Sequence, residues 1–159
     1  MAEVAWSTIT ALVQDAAERF PHTEAMVDGP IRWTFPQLRD EVNRAARALM
    51  ASGVQAGDRV GVWAPNTWEW AVAALGAHTV GGVVVPVNTR FKGREAAQVL
   101  DRAGARLLFT ITDFLDIDHV EMLSVSGLPD SLDEIVVLRG TVPPGTTGFA
   151  DFMERSGQI

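Results

Sequence analysis

The residue best placed to hold an anion is Arg90. It ends Pro86-Val87-Asn88-Thr89-Arg90, directly after the apolar run Val83-Val84-Val85. In parallel α/β sheets, ligands bind beyond the carboxyl ends of strands. A guanidinium there offers a fork of donors that matches a phosphate. The plainer alternatives are a surface arginine and a salt bridge that orders a loop. Gly145-Thr146-Thr147-Gly148 has the composition of an anion cradle built from backbone amides. The residues after it, Phe149-Ala150-Asp151, bring apolar groups and a negative charge where a nucleotide loop needs a cation. A surface turn before a short helix is the better reading. Gly81-Gly82 lacks the spacing of a dinucleotide fingerprint and lies between a helix and a strand, the reverse of the required order, so it reads as a helix C-cap.

Other chemistry is narrowed by what is missing. His22, His78 and His119 have no ligand-spaced partners. His78 falls in an apolar helical stretch and reads as a satisfied core or interface histidine. Asp113, Asp116, Asp118 and Glu121 cluster without the pattern of a calcium loop, so they read as a solvated face. No Gly-x-Ser-x-Gly occurs, which removes that nucleophile signature. Cysteine is absent, which excludes disulfides, zinc ribbons and thiol nucleophiles. The single lysine, Lys92, stands between Phe91 and Gly93, so no Gly-Lys-Ser/Thr phosphate loop can be built. No catalytic residue and no metal ligand is assigned.

The elements that must position these residues follow from periodicity. Ile9, Leu12, Val13, Ala16, Ala17 and Phe20 recur at helical spacing after Thr8, and Pro21 stops that helix. Residues 25–27 and 31–33 flank Asp28-Gly29-Pro30 as a small hairpin. Thr34 caps a second helix, with Gln37 returning a hydrogen bond, and Gly53 sits where a left-handed C-terminal cap is wanted. A strand is predicted over 59–64, ended by Pro65. Asn66 is expected to cap a third helix with Glu69 in the reciprocal position. Strand 83–87, helix 94–102, strand 107–111, a weaker helix at 117–125 and strand 135–138 complete the pattern. The last three strands are near-continuous apolar runs, as expected for strands buried on both faces. The alternation predicts an α/β fold, a mostly parallel sheet with helices on both faces. A short helix near 150–155 follows a turn-rich tail, with no obvious closing element.

Composition bounds the partners. With 159 residues and 47% hydrophobic residues, the chain is too apolar for disorder and long enough for a core. Thirteen Lys and Arg against twenty Asp and Glu leave a formal charge of −7, which argues against a nucleic-acid backbone or an anionic membrane surface. The uncharged stretch between Glu69 and Arg90 has spanning length, yet Gly81, Gly82 and Pro86 interrupt it. A buried helix, a glycine turn and a strand fit better than a transmembrane segment. The first residues show no basic region followed by an apolar one, so a cytoplasmic location is the expectation.

Four segments in register carry a resemblance. They are Thr34-Phe35-Pro36-Gln37-Leu38, Gly57-Asp58-Arg59-Val60, Pro65-Asn66-Thr67-Trp68-Glu69-Trp70, and Gly81-Gly82 through Asn88-Thr89-Arg90. Together they resemble the start of the AMP-forming acyl-CoA synthetases of the adenylate-forming superfamily, over nearly the whole chain. The Asn-Thr-Arg ending looks more like fatty-acid, aromatic-acid and steroid-side-chain ligases than like peptide-synthetase modules. The Pro-Asn-Thr-Trp run is similar to a steroid-degradation acyl-CoA synthetase of actinobacteria, acting on a propionate side chain of a ring remnant.

The resemblance implies a two-step ligase that uses ATP, Mg²⁺ and coenzyme A on a small carboxylic acid. The acid attacks the α-phosphate of ATP, and the thiol of coenzyme A then displaces AMP. In some ligases of this family an arginine at the place of Arg90 approaches the phosphates of coenzyme A, so Arg90 is the one site residue carried over. The family's lysine-bearing Gly-rich loop, its Tyr-Gly-x-Thr-Glu motif, its ribose-binding Asp and its mobile C-terminal domain all come later in sequence. Residues 1–159 are therefore expected to be an incomplete N-terminal subdomain of the large adenylation domain, with no second domain, inactive alone and prone to self-association through uncovered apolar surface. An independent nucleotide- or protein-binding module, or a purely structural domain, stands as the alternative.

Overall fold

The computed structural model describes residues 6–159; residues 1–5, read above for the lack of a signal sequence, lie outside the described residues. Helix α1 (Ile9–Arg19) starts at Thr8, whose hydroxyl accepts the Ala11 N–H at 3.0 Å, and stops at Phe20 before Pro21. Strands β1 (Glu24–Asp28) and β2 (Ile31–Thr34) form the antiparallel hairpin, with Gly29 at φ +57° in its turn. Helix α2 (Phe35–Ala51) begins where Gln37 accepts the Thr34 N–H at 2.8 Å, and Gly53 at φ +80° follows its end. Then come β3 (Arg59–Trp63), α3 (Trp68–Thr79), β4 (Val83–Pro86), α4 (Gly93–Ala103), β5 (Ala105–Ile111), α5 (His119–Ser126), β6 (Glu134–Arg139), β7 (Thr147–Gly148) and α6 (Phe149–Glu154), closed by a 3₁₀ turn at Arg155–Gln158.

The five strands β4-β3-β5-β6-β7 pair in that order, all parallel. Side chains alternate between two cores, as the period of two along a strand requires. Val60, Val62, Leu107 and Phe109 face a core shared with α2, α3 and α6, where Leu49, Val72 and Phe152 are fully buried. Trp63, Leu108 and Val137 face the opposite core, with Leu100 of α4 and Leu123 of α5. Strands β5 and β6 thus need apolar residues at consecutive positions.

Three expectations change. The run 83–87 is not buried on both faces: β4 is the sheet edge, and Val83 is 49% exposed. Its β-branched residues fit a strand, but edge placement is decided by which neighbours the crossovers supply. The cap of α3 is Thr67, which accepts the Trp70 N–H at 3.4 Å, rather than Asn66. Glu69 is drawn away into an ion pair and does not return a capping bond. The tail holds a short fifth parallel strand, β7, and a closing helix whose Phe149, Phe152 and Met153 are buried. No helix among the described residues is long and apolar enough to cross a membrane.

Candidate functional site

The carboxyl ends of the parallel strands gather the candidate residues. The first connection runs from β3 outward to β4; the next returns past β3 to β5 on its other side. The switch in winding direction therefore lies between β3 and β5, where open sheets leave a crevice. Here that crevice is plugged. Trp63, the last residue of β3, is fully buried, and the His119 imidazole stacks on its indole at 4.1 Å with the planes 3° apart. The Trp63 carbonyl accepts the Thr110 hydroxyl at 3.0 Å and lies 3.3 Å from His119 Nδ1. Open space moves one strand over, to a cleft of about 520 Å³ between the ends of β3 and β4, lined by Pro65, Asn66, Trp70, Val87, Asn88 and Thr89.

Arg90 lies next to this cleft on an exposed turn. Asn88 builds the turn twice over. Its side-chain oxygen accepts the Arg90 N–H at 2.9 Å, an Asx turn, and its carbonyl accepts the Phe91 N–H at 3.0 Å. The Asn88 carbonyl also accepts the Trp63 indole N–H at 3.0 Å, which ties the turn to β3. No carboxylate among the described residues lies within 4.0 Å of the Arg90 guanidinium, so the loop-ordering salt bridge weighed above is not there. Lys92 and Arg94 follow within four residues, both exposed and without an ion pair among the described residues. Glu95 faces the backbone instead, accepting the Lys92 N–H at 2.8 Å. In a chain of net charge −7, the turn into α4 is thus a local cationic surface.

A second arginine sits at the carboxyl end of β6 and has the opposite fate. Arg139 donates from Nε and Nη2 to both oxygens of Glu69, each at 2.8 Å, and from Nη2 to Asp28 at 2.8 Å. The Trp68 N–H, with Arg139 beside it, holds the Asp28 carboxyl below the usual carboxylate range. Glu69, chiefly, pushes the Arg139 guanidinium up. This cluster joins β6, the hairpin and α3. It borders a cleft of about 580 Å³ whose wall includes Trp68 and Phe149. Sequence reasoning missed Arg139, though the signal was the one that singled out Arg90: a basic residue just past an apolar strand.

The remaining candidates are placed as follows. Gly145-Thr146-Thr147-Gly148 is consumed internally, with Thr146 bonded to the Pro143 carbonyl at 2.7 Å and Thr147 to Glu134 at 2.8 Å. The acidic cluster is solvent-facing, and Asp118 caps α5 by accepting the Glu121 N–H at 2.9 Å. His78 is half-buried, whereas His119 is the core histidine. Burial pushes the His119 imidazole below its ordinary pKa, and its Nε2 has no partner among the described residues. Among the described residues no three His, Asp or Glu side chains converge on a point.

Residues 13–152 match the AMP-binding enzyme family. A 3-[(3aS,4S,7aS)-7a-methyl-1,5-dioxo-octahydro-1H-inden-4-yl]propanoyl:CoA ligase of Mycobacterium tuberculosis is 43% identical over 122 residues, covering 77% of this chain and 24% of that protein. The ligase of the same name from Rhodococcus jostii is 39% identical over 151 residues, covering 92% of this chain and 29% of that protein. Among solved structures, the anthranilate CoA ligase AuaEII with anthranoyl-AMP shares the fold, with a TM-score of 0.83 at 24% identity, over 94% of this chain and 28% of that one. The chain therefore spans about a quarter of the length of the curated relatives it matches.

Proposed function

This chain belongs to the AMP-binding enzyme family, and on that premise we propose that it is the N-terminal subdomain of an AMP-forming acid–CoA ligase. The observation that carries the reading is the 39% identity with the Rhodococcus ligase, which extends over 92% of the chain. In the whole enzyme a carboxylate oxygen attacks the α-phosphate of ATP, forming an acyl adenylate and releasing pyrophosphate. The coenzyme A thiol then attacks the acyl carbon, and AMP leaves. Mg²⁺ belongs to the first step on the family's pattern, held by residues outside this chain.

The acid is proposed to be a propanoate carried on a methylated, dioxo octahydroindene ring pair, the acyl group in the names of both ligases. The test is ATP–pyrophosphate exchange by the whole enzyme with this acid, a medium-chain fatty acid and an aromatic acid. Exchange is expected to be strongest with the bicyclic propanoate, and equal exchange with the fatty acid removes the narrower assignment. The 159 residues alone are expected to give no acid-dependent exchange.

Within that reaction the part of this chain is to present Arg90. Its exposed guanidinium, free of carboxylates among the described residues, suits a phosphate of coenzyme A. Arg90→Ala is expected to weaken coenzyme A binding roughly ten- to a hundredfold, since a charge-assisted hydrogen bond contributes about 1.5–3 kcal/mol. Pyrophosphate exchange should stay unchanged. Equal coenzyme A affinity in both forms removes Arg90 from the site.

A further inference from the structure

We propose that Trp63 is a positioning residue: its indole N–H, held from behind by His119, sets the turn that presents Arg90. The inference rests on the reading of Arg90 as a phosphate contact and adds what holds that contact in place.

The geometry is a chain of fixed groups. The carbonyl of Trp63 is pinned twice, by the Thr110 hydroxyl at 3.0 Å and by His119 Nδ1 at 3.3 Å. Its ring is fully buried and clamped face to face by the imidazole. An indole so held can aim its N–H in one direction only, at the Asn88 carbonyl 3.0 Å away. Asn88 is the first residue of the four-residue turn 88–91 and fixes the Arg90 backbone through its side chain. The backbone tie between β3 and this connection ends one residue earlier, where Val87 N–H donates to Val62 at 2.9 Å. The strand just before it, β4, is an edge with no neighbour on its outer side among the described residues. The Trp63 bond is therefore the link from sheet to turn. Phenylalanine could fill much of the core volume but, unlike the indole, brings no donor.

The arrangement also explains why the switch-point crevice is closed. A bulky ring there gives up one ligand space and braces the neighbouring one. His119 acts through Trp63, and Trp63 through Asn88; neither needs to touch a ligand.

The test is hydrogen exchange followed by nuclear magnetic resonance on the 159-residue chain, without ligand. Trp63→Phe is expected to speed exchange of the Arg90 and Phe91 amides by about five- to tenfold, the worth of one neutral hydrogen bond. The amides of Phe109 and Val137, in the middle of the sheet, should change less. Unchanged exchange at 90 and 91, or equal acceleration at all four amides, overturns the proposal. Should Trp63→Phe not fold, replacing Trp63 with 3-benzothienylalanine, which keeps the ring and lacks the N–H, makes the same comparison. Coenzyme A is then added to the whole enzyme, as wild type, Arg90→Ala and Trp63→Phe. Weaker binding in both variants, with wild-type amides 90 and 91 slowed, supports the linked reading. No binding by wild type removes the phosphate role of Arg90, and the ligand-free exchange result still decides whether Trp63 positions the turn.

Discussion

At the scale of single residues, the buried ionisable groups govern how the molecule responds to pH. Burial lowers the pKa of His119, opposed in part by its hydrogen bond to the Trp63 carbonyl and by the charge of Asp118. The unfolded chain therefore binds a proton at this site more readily than the folded one, so stability rises with pH through the window below 6.5. Lowering the pH from 7 to 5 is expected to lower Tm, and His119→Phe, which keeps the aromatic stack, should flatten that fall. A wild-type-like slope in the variant would place the titrating group elsewhere. Asp28 and Asp58 act in a lower window. Trp68 N–H and Arg139 depress the first, and Gln55 N–H and Arg106 depress the second. Their contribution is complete above the unfolded carboxylate range and is lost as pH falls through their lowered values. Glu69 is 5% exposed and depends on Arg139. Glu69→Ala leaves Arg139 with Asp28 alone and should cost about 2–4 kcal/mol in chemical denaturation. The loss should be smaller in an Arg139→Ala background, where the partner charge is already gone.

At the scale of elements, α4 and α5 are held together by a missing side chain. A Cβ at Gly93 would overlap the Met122 carbonyl and the Ser126 hydroxyl, backbone and side chain of α5. The close approach seats the first turn of α4 directly after the Arg90 turn. Gly93→Ala is expected to destabilise by about 1–3 kcal/mol, the cost of forced overpacking. Gly145→Ala is the control. It has open space around it but φ +83°, so it should cost about 1 kcal/mol through backbone strain alone. Comparable losses at both positions would mean that α5 yields easily. Nothing in the local sequence distinguishes Gly93 from a helix-starting glycine.

At the scale of the whole molecule, the open edge of the sheet is the exposed liability. Val83 projects from β4, and the strand has no outer partner among the described residues. Unpaired edges template pairing with further chains, and a charge on such an edge discourages it. Val83→Lys is expected to leave Tm within about 2 °C, since surface changes are usually worth under 0.5 kcal/mol. It should also lower concentration-dependent self-association in sedimentation. Association that persists unchanged would point to another surface, such as the outward residues Ile9, Leu12 and Phe20.

How much of this was legible beforehand follows from the range of the forces involved. Element order, the hairpin, the Thr34 cap, the Gly53 stop and the parallel α/β class are all set by neighbours within a few residues, through periodicity, turn chemistry and backbone φ. They could be read directly. So could the family resemblance, because its four segments are local. Strand order could not: a run of valines is the same in a central strand and at an edge, and only the crossovers decide which β4 becomes. The cap of α3 moved to Thr67 because Glu69 is drawn to Arg139, seventy positions away. Two-residue β7 carries too few side chains for a period to appear. The two arginines make the division plainest. Arg90 and Arg139 carry the same local signal, a cation beyond an apolar strand. Tertiary structure brings two carboxylates to Arg139 and none, among the described residues, to Arg90. Residue type and spacing set the charge of each guanidinium, and long-range packing determined which one was left available to a ligand.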